Sequence, residues 1–377
     1  MTGKDELVLR GITAGDRAFT GPYGLQVGVT DHCNYGCVFC ATFSHKNPDR
    51  SAGENSTRLD TGRFAALVRE AAELEVEQIS LVGVGEPFLH PDIMLFIKEI
   101  KARSIRCMVT TNGSALTRRR IDEIVESEMD ILNISLNAAT EDTYALIHGE
   151  KHRRLYGAVL EHLSRLARIK RERGKNKPRL ALRFVMTNQN IGELRGFVDL
   201  AIRLGADELF FQNYVPPAFG RDIALDRGGK EAVARILLSL KEKMAEHGLS
   251  SNIDAVVSRY GAGAGLEPEV YQGYRVDDTF YYDNPCYVGW TYAMILANGA
   301  VMPCCYCGVA MGNINDDSFK NIWFGDRYNR FRKVAADLPV SRLGVEGCKC
   351  FNNCGSTPDN IKIMKRFGLD ENKAQTL

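Results

Sequence analysis

Cys33-Asn34-Tyr35-Gly36-Cys37-Val38-Phe39-Cys40 decides the reading of this chain. Three thiolates at C-x3-C-x2-C spacing on one short loop can converge on a single iron–sulfur cube, which ordinarily takes four protein ligands. Three ligands leave one iron open. An open iron can bind and reduce a second molecule, whereas a fully ligated cluster mainly carries electrons. The alternative is a zinc knuckle, which needs a fourth Cys or His; His32 or His45 could supply it.

The loop follows a first predicted strand over residues 25–30. The next predicted strand, 78–84, closes with Gly83-Val84-Gly85-Glu86-Pro87. The C-terminal edge of a strand offers backbone carbonyls, and a carboxylate beside them suits an ammonium group. Together the two motifs resemble those of the radical S-adenosylmethionine (SAM) superfamily, with Val84 replacing one glycine of its Gly-Gly-Glu-Pro motif. The resemblance implies a SAM-binding [4Fe-4S] cluster on Cys33, Cys37 and Cys40, with SAM on the fourth iron. Reductive cleavage of SAM would then give methionine and a 5′-deoxyadenosyl radical. The resemblance also implies that Gly83, Gly85, Glu86 and Pro87 receive SAM's ammonium group.

Outward from the loop, short apolar strands alternate with amphipathic helices as far as residue 213. Helices are predicted at 61–73, with Asp60 or Thr61 as N-cap, and at 91–102, 117–127, 154–173 and 191–204. Further strands are predicted at 105–110, 131–136, 179–186 and 208–212. These βα units suit either a barrel or an open parallel sheet. The family resemblance implies an α/β partial (β/α)6 TIM-like barrel, with chemistry at the strands' C-terminal ends. Alternation along the fourth strand puts Asn133, Ser135 and Asn137 on one side. If that side faces the barrel lumen, Ser135 and Asn137 meet the ribose of SAM. Relatives often carry Asp where Asn137 stands, and Arg where His148 stands. The second departure leaves the partner of SAM's carboxylate open among Arg183, Arg153 and Arg154. The basic stretch 151–179 reads as the solvated face of a long helix and its loop.

A helix at 228–247 and Gly-rich sequence at 261–265 lead to a second module after Asp283. Strands at 291–296 and 300–303 around Asn298-Gly299 predict a hairpin with a type I′ turn, which would bring Cys286 and Cys304 together. Gly312-Asn313-Ile314, a helix at 319–332 and Cys348-x-Cys350-x3-Cys354 follow. This layout resembles the SPASM/twitch extension, which carries auxiliary iron–sulfur clusters. Only the last steps of the full cysteine pattern are present. The resemblance therefore implies one auxiliary [4Fe-4S] cluster on Cys286, Cys304, Cys350 and Cys354, with Cys348 able to replace one of the last pair. A zinc ribbon is the alternative. The expected organisation is an N-terminal extension (1–22), a radical SAM barrel (23–225), a helix and linker (226–282) and an auxiliary cluster domain (283–377).

Composition bounds the function. The 377 residues can bury a full core plus a smaller module. A net charge of +1 gives no general attraction to nucleic acid or to an anionic membrane. No apolar run is long enough to cross a bilayer, and Met1-Thr2-Gly3-Lys4-Asp5-Glu6 lacks the core of a signal peptide. Eleven cysteines without a signal point to metal ligation rather than disulfides, in a reducing cytoplasm.

An auxiliary cluster can accept an electron from a substrate radical, giving oxidation. A thiol can instead return a hydrogen, giving epimerisation. Cys107, Cys305 and Cys307 are the spare thiols for that role. About two dozen residues precede the first strand, too few for a separate leader-binding module. The expected substrate is therefore a small biosynthetic metabolite such as a sugar or aminocyclitol, and the expected reductant a flavodoxin or ferredoxin. Gln212, Asn213 and Tyr214 are expected at the mouth. A peptide- or protein-modifying maturase is the alternative. A sulfur-inserting transferase would need an open auxiliary iron. A non-enzymatic iron–sulfur scaffold or electron carrier would have no use for Gly85-Glu86-Pro87.

Overall fold

The computed structural model describes residues 2–48, 57–260, 270–271, 274–275, 279–348, 350–351 and 354–369; the Gly-rich stretch 261–265 lies outside them. In chain order the strands are β1 (Gly24–Val27), β2 (Gln78–Leu81), β3 (Arg106–Thr111), β4 (Ile131–Ser135), β5 (Arg179–Met186), β6 (Glu208–Asn213), β7 (Ser250–Ser251), β8 (Val270–Tyr271), β9 (Tyr274–Arg275), β10 (Tyr292–Ile295), β11 (Ala300–Met302) and β12 (Gly312–Asn313). The chain forms two compact units. One comprises Met1–Gly28, Leu59–Ile79 and Gly265–Leu377, the other Val29–Arg58 and Ser80–Ala264.

The second unit holds most of the βα repeat. Strands β3 to β7 lie in chain order, and each neighbouring pair is parallel. Leu132, Ile134, Leu182, Phe184, Leu209 and Phe211 are buried along β4–β6. The residues between them occupy the other face, where the register sets Ser135 beside Arg183 and Arg183 beside Phe210. The covering helices are amphipathic: Leu194–Leu204 buries Leu194, Phe197, Val198, Ala201 and Leu204 and stops at left-handed Gly205. A helix absent from the sequence reading, Glu141–His148, starts where the Thr140 hydroxyl accepts from Thr143 N–H. The helix expected at 228–247 forms as Arg227–Glu246, and a second helix, Ile253–Tyr260, lies in the stretch expected to be linker. The Asn252 amide extends β6 as a strand would, accepting from Phe211 N–H and donating to Phe211 O, both at 2.9 Å. Most cations of the 151–179 stretch are paired, for example Arg165 with Asp122 and Lys177 with Asp130, as expected of a solvated face.

In the first unit the strand order is β12-β11-β10-β1. Strand β1 runs parallel to β10, with Gly24 opposite Tyr292. That pairing makes β1 part of the same unit as the C-terminal cysteines. The expected N-terminal extension contains a helix, Gly3–Ala14, with a Thr2/Asp5 capping box. Its Lys4 amine is buried and donates to the carbonyls of Pro22 (2.9 Å) and Leu74 (3.3 Å). The β10–β11 hairpin forms, but not through a type I′ turn. Gly299 N–H donates to Leu296 O at 2.9 Å, so Ala297 and Asn298 are the central residues. Only Gly299 of these takes positive φ, at 85°. The helix expected at 319–332 is two, Phe319–Phe324 and Asp326–Ala336, broken at extended Gly325. Among the described residues no helix is long and apolar enough to cross a membrane.

Candidate active site

The cysteine loop is fastened at several points within its unit. Gly85 N–H donates to Thr30 O (3.1 Å) and Glu86 N–H to His32 O (2.8 Å). A Cβ on Gly85 would lie 2.4 Å from His32 O and 2.5 Å from Thr30 O, so this turn needs glycine to lie against the loop. Asn34 ties the loop to the end of β3, donating to Ser114 Oγ (2.9 Å) and accepting from Asn112 Nδ2 (3.0 Å). Tyr35 and Tyr144 share a hydroxyl hydrogen bond of 2.7 Å. The Tyr35 ring also stacks on His152 at 4.2 Å between centroids.

Cys33 and Cys40 lie close enough to Cys37 to raise its thiol pKa, and Cys40 close enough to Cys33 to do the same. Burial pushes Cys33 up to about 11, with Glu86 and Cys40 adding to it. Burial holds Cys37 well above the usual thiol range, reinforced by Cys33 and Cys40. Cys40 Sγ accepts from Phe43 N–H at 3.2 Å. Among the described residues no group of three or more His, Cys, Asp or Glu converges as a single metal ion requires. A cube presents a separate iron to each thiolate, so its ligands surround it rather than meet at a point. Three soft donors that shed protons on binding a cationic cluster fit this group.

His148, noted in the sequence only as a departure, sits against this site. It is buried, with Nε2 3.1 Å from Leu136 O and Nδ1 3.0 Å from Cys37 Sγ. The carbonyl can only accept, so Nε2 carries the proton and Nδ1 accepts from the Cys37 thiol. Burial lowers the His148 pKa to about 4.

Glu86 has a structural role beside the one the sequence suggested. Its carboxylate, only 3% exposed, accepts from Thr111 Oγ1 (2.5 Å), Asn112 N–H (2.7 Å) and Phe88 N–H (3.0 Å). Burial raises its pKa against these donors. It is a strut between the turn after β2 and the end of β3. These bonds occupy three of its about four acceptor positions. One position and the neighbouring carbonyls remain for a cation. Ser135 ends β4 on the expected face, but Asn137 does not continue the alternation. It turns left-handed at φ 59°, and its Oδ1 accepts from Val185 N–H at 2.8 Å. Its buried Nδ2 has no partner. Arg153 is engaged by Glu150 and Asp142, which removes it from the candidates for SAM's carboxylate.

The C-terminal unit brings its own thiols together. Cys286 is raised far above the usual range by burial and then by Cys354, Cys304 and Cys350. Asn360 clamps it on both sides, accepting from Tyr287 N–H (2.6 Å) and donating to Pro285 O (2.7 Å). The expected quartet therefore gathers in one place, and Cys305 is also close enough to act on Cys304.

Three expectations need correction. Cys307 and Cys348 form a disulfide, so Cys307 has no thiol hydrogen to donate and Cys348 is not a free replacement ligand. Their backbones pair as an antiparallel bridge, a contact invisible in a reading that treated every cysteine as a metal ligand or free thiol. Cys107 is a core residue. Alternation along β3 turns it to the buried face, at the strand's N-terminal end, where Cys107 N–H donates to Asp130. Tyr214, expected at the mouth, packs into a buried cluster with Val38, Ile147 and Ile223.

Comparison with known proteins agrees with this geometry. The sequence profile of the radical SAM superfamily matches residues 27–201, and the SPASM iron–sulfur cluster-binding domain matches 286–354. The chain is a radical SAM enzyme with a C-terminal SPASM domain. The radical SAM domain binds a [4Fe-4S] cluster and SAM, and the SPASM domain binds auxiliary iron–sulfur clusters. Among its relatives is the tungsten-containing aldehyde ferredoxin oxidoreductase cofactor-modifying protein of Pyrococcus furiosus, 25% identical over 82% of this chain and 83% of that protein. The PqqA peptide cyclase of Ruegeria pomeroyi is 26% identical over 87% of this chain and 83% of the cyclase. Among solved structures, Streptococcus suis SuiB bound to S-adenosylmethionine superposes with a TM-score of 0.61 at 18% identity, covering 87% of this chain and 71% of SuiB. Native anSMEcpe with bound AdoMet gives 0.58 at 14% identity, over 94% of this chain and all of that one (100%). These likenesses show the α/β radical SAM fold.

Proposed function

We propose that this enzyme is a maturase that modifies a residue or group carried by a peptide or protein. The observation that carries this reading is similarity along more than four-fifths of the chain to a cofactor-modifying protein and to a peptide cyclase (82% and 87%). It replaces the small sugar or aminocyclitol as first choice. Cys33, Cys37 and Cys40 would hold the SAM-binding cluster. Cys286, Cys304, Cys350 and Cys354 would hold one auxiliary cluster. The carbonyls around Gly83 and Gly85, with the remaining acceptor position of Glu86, would take SAM's ammonium. Ser135 and the unpartnered Asn137 amide would face its ribose. When bound, the SAM cluster supplies a carbon-centred radical able to take hydrogen from an unreactive position. The chain's own work is to keep this site dry and rigid, through the Glu86 strut and the Tyr35–Tyr144 pair.

A cytoplasmic location and a flavodoxin or ferredoxin reductant suit oxygen-sensitive clusters. The test is anaerobic reconstitution, then incubation with SAM and reductant against two panels. One holds peptides encoded beside the gene, the other sugars and aminocyclitols. The expected result is 5′-deoxyadenosine formed in step with a mass change in a peptide. Turnover confined to the small molecules would reverse the reading.

A further inference from the structure

Arg332 is a buried cation with no anion to balance it. It lies on helix Asp326–Ala336 in the first unit and is 0% exposed. Its guanidinium carbon is 4.6 Å from the ring centres of both Trp323 and Tyr328. Nε donates to Gly289 O at 2.9 Å and Nη1 to Asn329 Oδ1 at 2.8 Å, and both acceptors are neutral. Nη2 has no partner, and neither has the buried hydroxyl of Tyr328 beside it. Among the described residues no carboxylate pairs with Arg332; the ionisable group acting on it is the Tyr328 phenol. Burial lowers its pKa to about 10, so the charge persists at neutral pH. Two aromatic faces repay part of the lost hydration, but a buried charge ordinarily needs an opposite one.

The backbone shows what lies beside this charge. One turn along the same helix, Ala335 O accepts from Cys286 N–H at 2.9 Å. Gly289, to which Arg332 donates, lies three residues beyond Cys286. The helix therefore fastens both ends of the Cys286 turn, through two residues about 4.5 Å apart along its axis. A Cβ on Gly289 would lie 2.9 Å from Phe331 Cε1 and 3.2 Å from Arg332 Cγ, so the close approach depends on this glycine. The turn runs on into β10. The β10–β11 register sets Met294 opposite Met302, which two residues further along puts Tyr292 across from Cys304. Arg332 is thus held against the turn of one gathered thiol, on the strand that leads to a second.

We propose that Arg332 is the fixed counter-charge of the auxiliary cluster and holds its reduction potential up. Four thiolates give such a cluster net negative charge, which grows on reduction, and net charge and burial are the protein's levers on its potential. A buried cation that no carboxylate cancels favours the reduced state, so the cluster takes up an electron more readily. Arg332 acts through space, without ligating iron. The inference rests on Cys286 and Cys304 being ligands, which iron content tests separately.

The experiment is a redox titration of the full-length reconstituted enzyme with SAM bound, followed by electron paramagnetic resonance. The Cys33→Ala/Cys37→Ala/Cys40→Ala protein assigns the auxiliary signal. Arg332→Gln should keep the iron content of wild type. At a fixed applied potential its ratio of reduced to oxidised auxiliary cluster should fall tenfold or more, a midpoint shift of about 59 mV for one electron. Arg332→Lys keeps the charge but loses the fork, and its ratio should stay within threefold of wild type. If Arg332→Gln does not fold, Arg332→Met replaces it, since a thioether packs well between aromatic rings. A potential unchanged in the neutral variant would overturn the proposal. So would a tenfold shift in Arg332→Lys, because a structural clamp predicts that loss and a counter-charge does not. Full auxiliary iron in Cys286→Ala would instead refute the ligand assignment, and the proposal with it.

Discussion

The thiols of Cys33, Cys37 and Cys40 come from one short loop, whereas Cys286, Cys304, Cys350 and Cys354 come from opposite ends of a long segment. Closing a short loop around a cluster costs little chain entropy, and the cost rises with the chain enclosed. The supports differ accordingly. The first site is braced by side chains from several strands' ends: Glu86, Asn34, the Tyr35–Tyr144 pair and His148. The second depends on backbone assembly. Cys286 N–H donates to Ala335 O at 2.9 Å, β10 pairs with β11, and Asn360 brackets Cys286. A local spacing can therefore specify the first site, while the second exists only once its unit has folded.

The largest expected effect separates the two sites. Combining Cys33→Ala, Cys37→Ala and Cys40→Ala should remove about four irons per chain and abolish 5′-deoxyadenosine formation. Iron assay and chromatography should still find the auxiliary iron. Loss of all iron would show that the sites do not load independently. Cys286→Ala should do the converse, removing about four irons while SAM cleavage survives.

Next comes the bracing. Glu86→Ala leaves Thr111 Oγ1, Asn112 N–H and Phe88 N–H without their acceptor. At about 1–3 kcal/mol for a buried unsatisfied group, partly relieved by relaxation, the expected loss is about 4 kcal/mol. Denaturant unfolding of the metal-free protein would measure it. A loss below about 0.5 kcal/mol would mean that the strut carries no stability.

His148 predicts a pH effect of at most on the order of 3 kcal/mol. Burial lowers its pKa from 6.5 to about 4, so the folded state resists protonation that the unfolded chain accepts. Its contribution is full above the unfolded value and is lost as pH falls through 6.5 toward about 4. Metal-free wild type should lose stability over that window, and His148→Gln should lose less. Equal slopes would remove His148 from the account. The smallest effect should come from Cys348→Ser, which opens the disulfide without touching the gathered quartet. Iron content should stay the same, and a fall would put Cys348 among the ligands.

Most strands and helices of the βα repeat are legible because burial periodicity repeats the geometry of each element. Residues 208–212, for example, are a short apolar run following an amphipathic helix, and they form β6. Helix Glu141–His148 escaped because eight residues carry too short a period, although Thr140 was an available N-cap. The break at Gly325 and the turn at Asn298-Gly299 depart from the sequence expectation for a related reason. Glycine shows where the backbone can bend, and only the packed neighbours select the bend. In the candidate site, the cysteine loop and the Gly85-Glu86-Pro87 turn were legible as motifs. Nothing in the chain marked Thr111, Asn112 and Tyr144 as their partners.

The sequence by itself determined which thiols share a loop, which residues alternate across β4 and β5, and where a second cysteine module begins. These are local relations, set by spacing and strand period. The tertiary structure alone decided that Glu86 is a strut, that Cys307 is joined to Cys348, that Cys107 is core, and that the Nε of Arg183 is buried without a partner. Each of those depends on which distant backbone or side chain comes within hydrogen-bonding or bonding reach, and no local pattern encodes that.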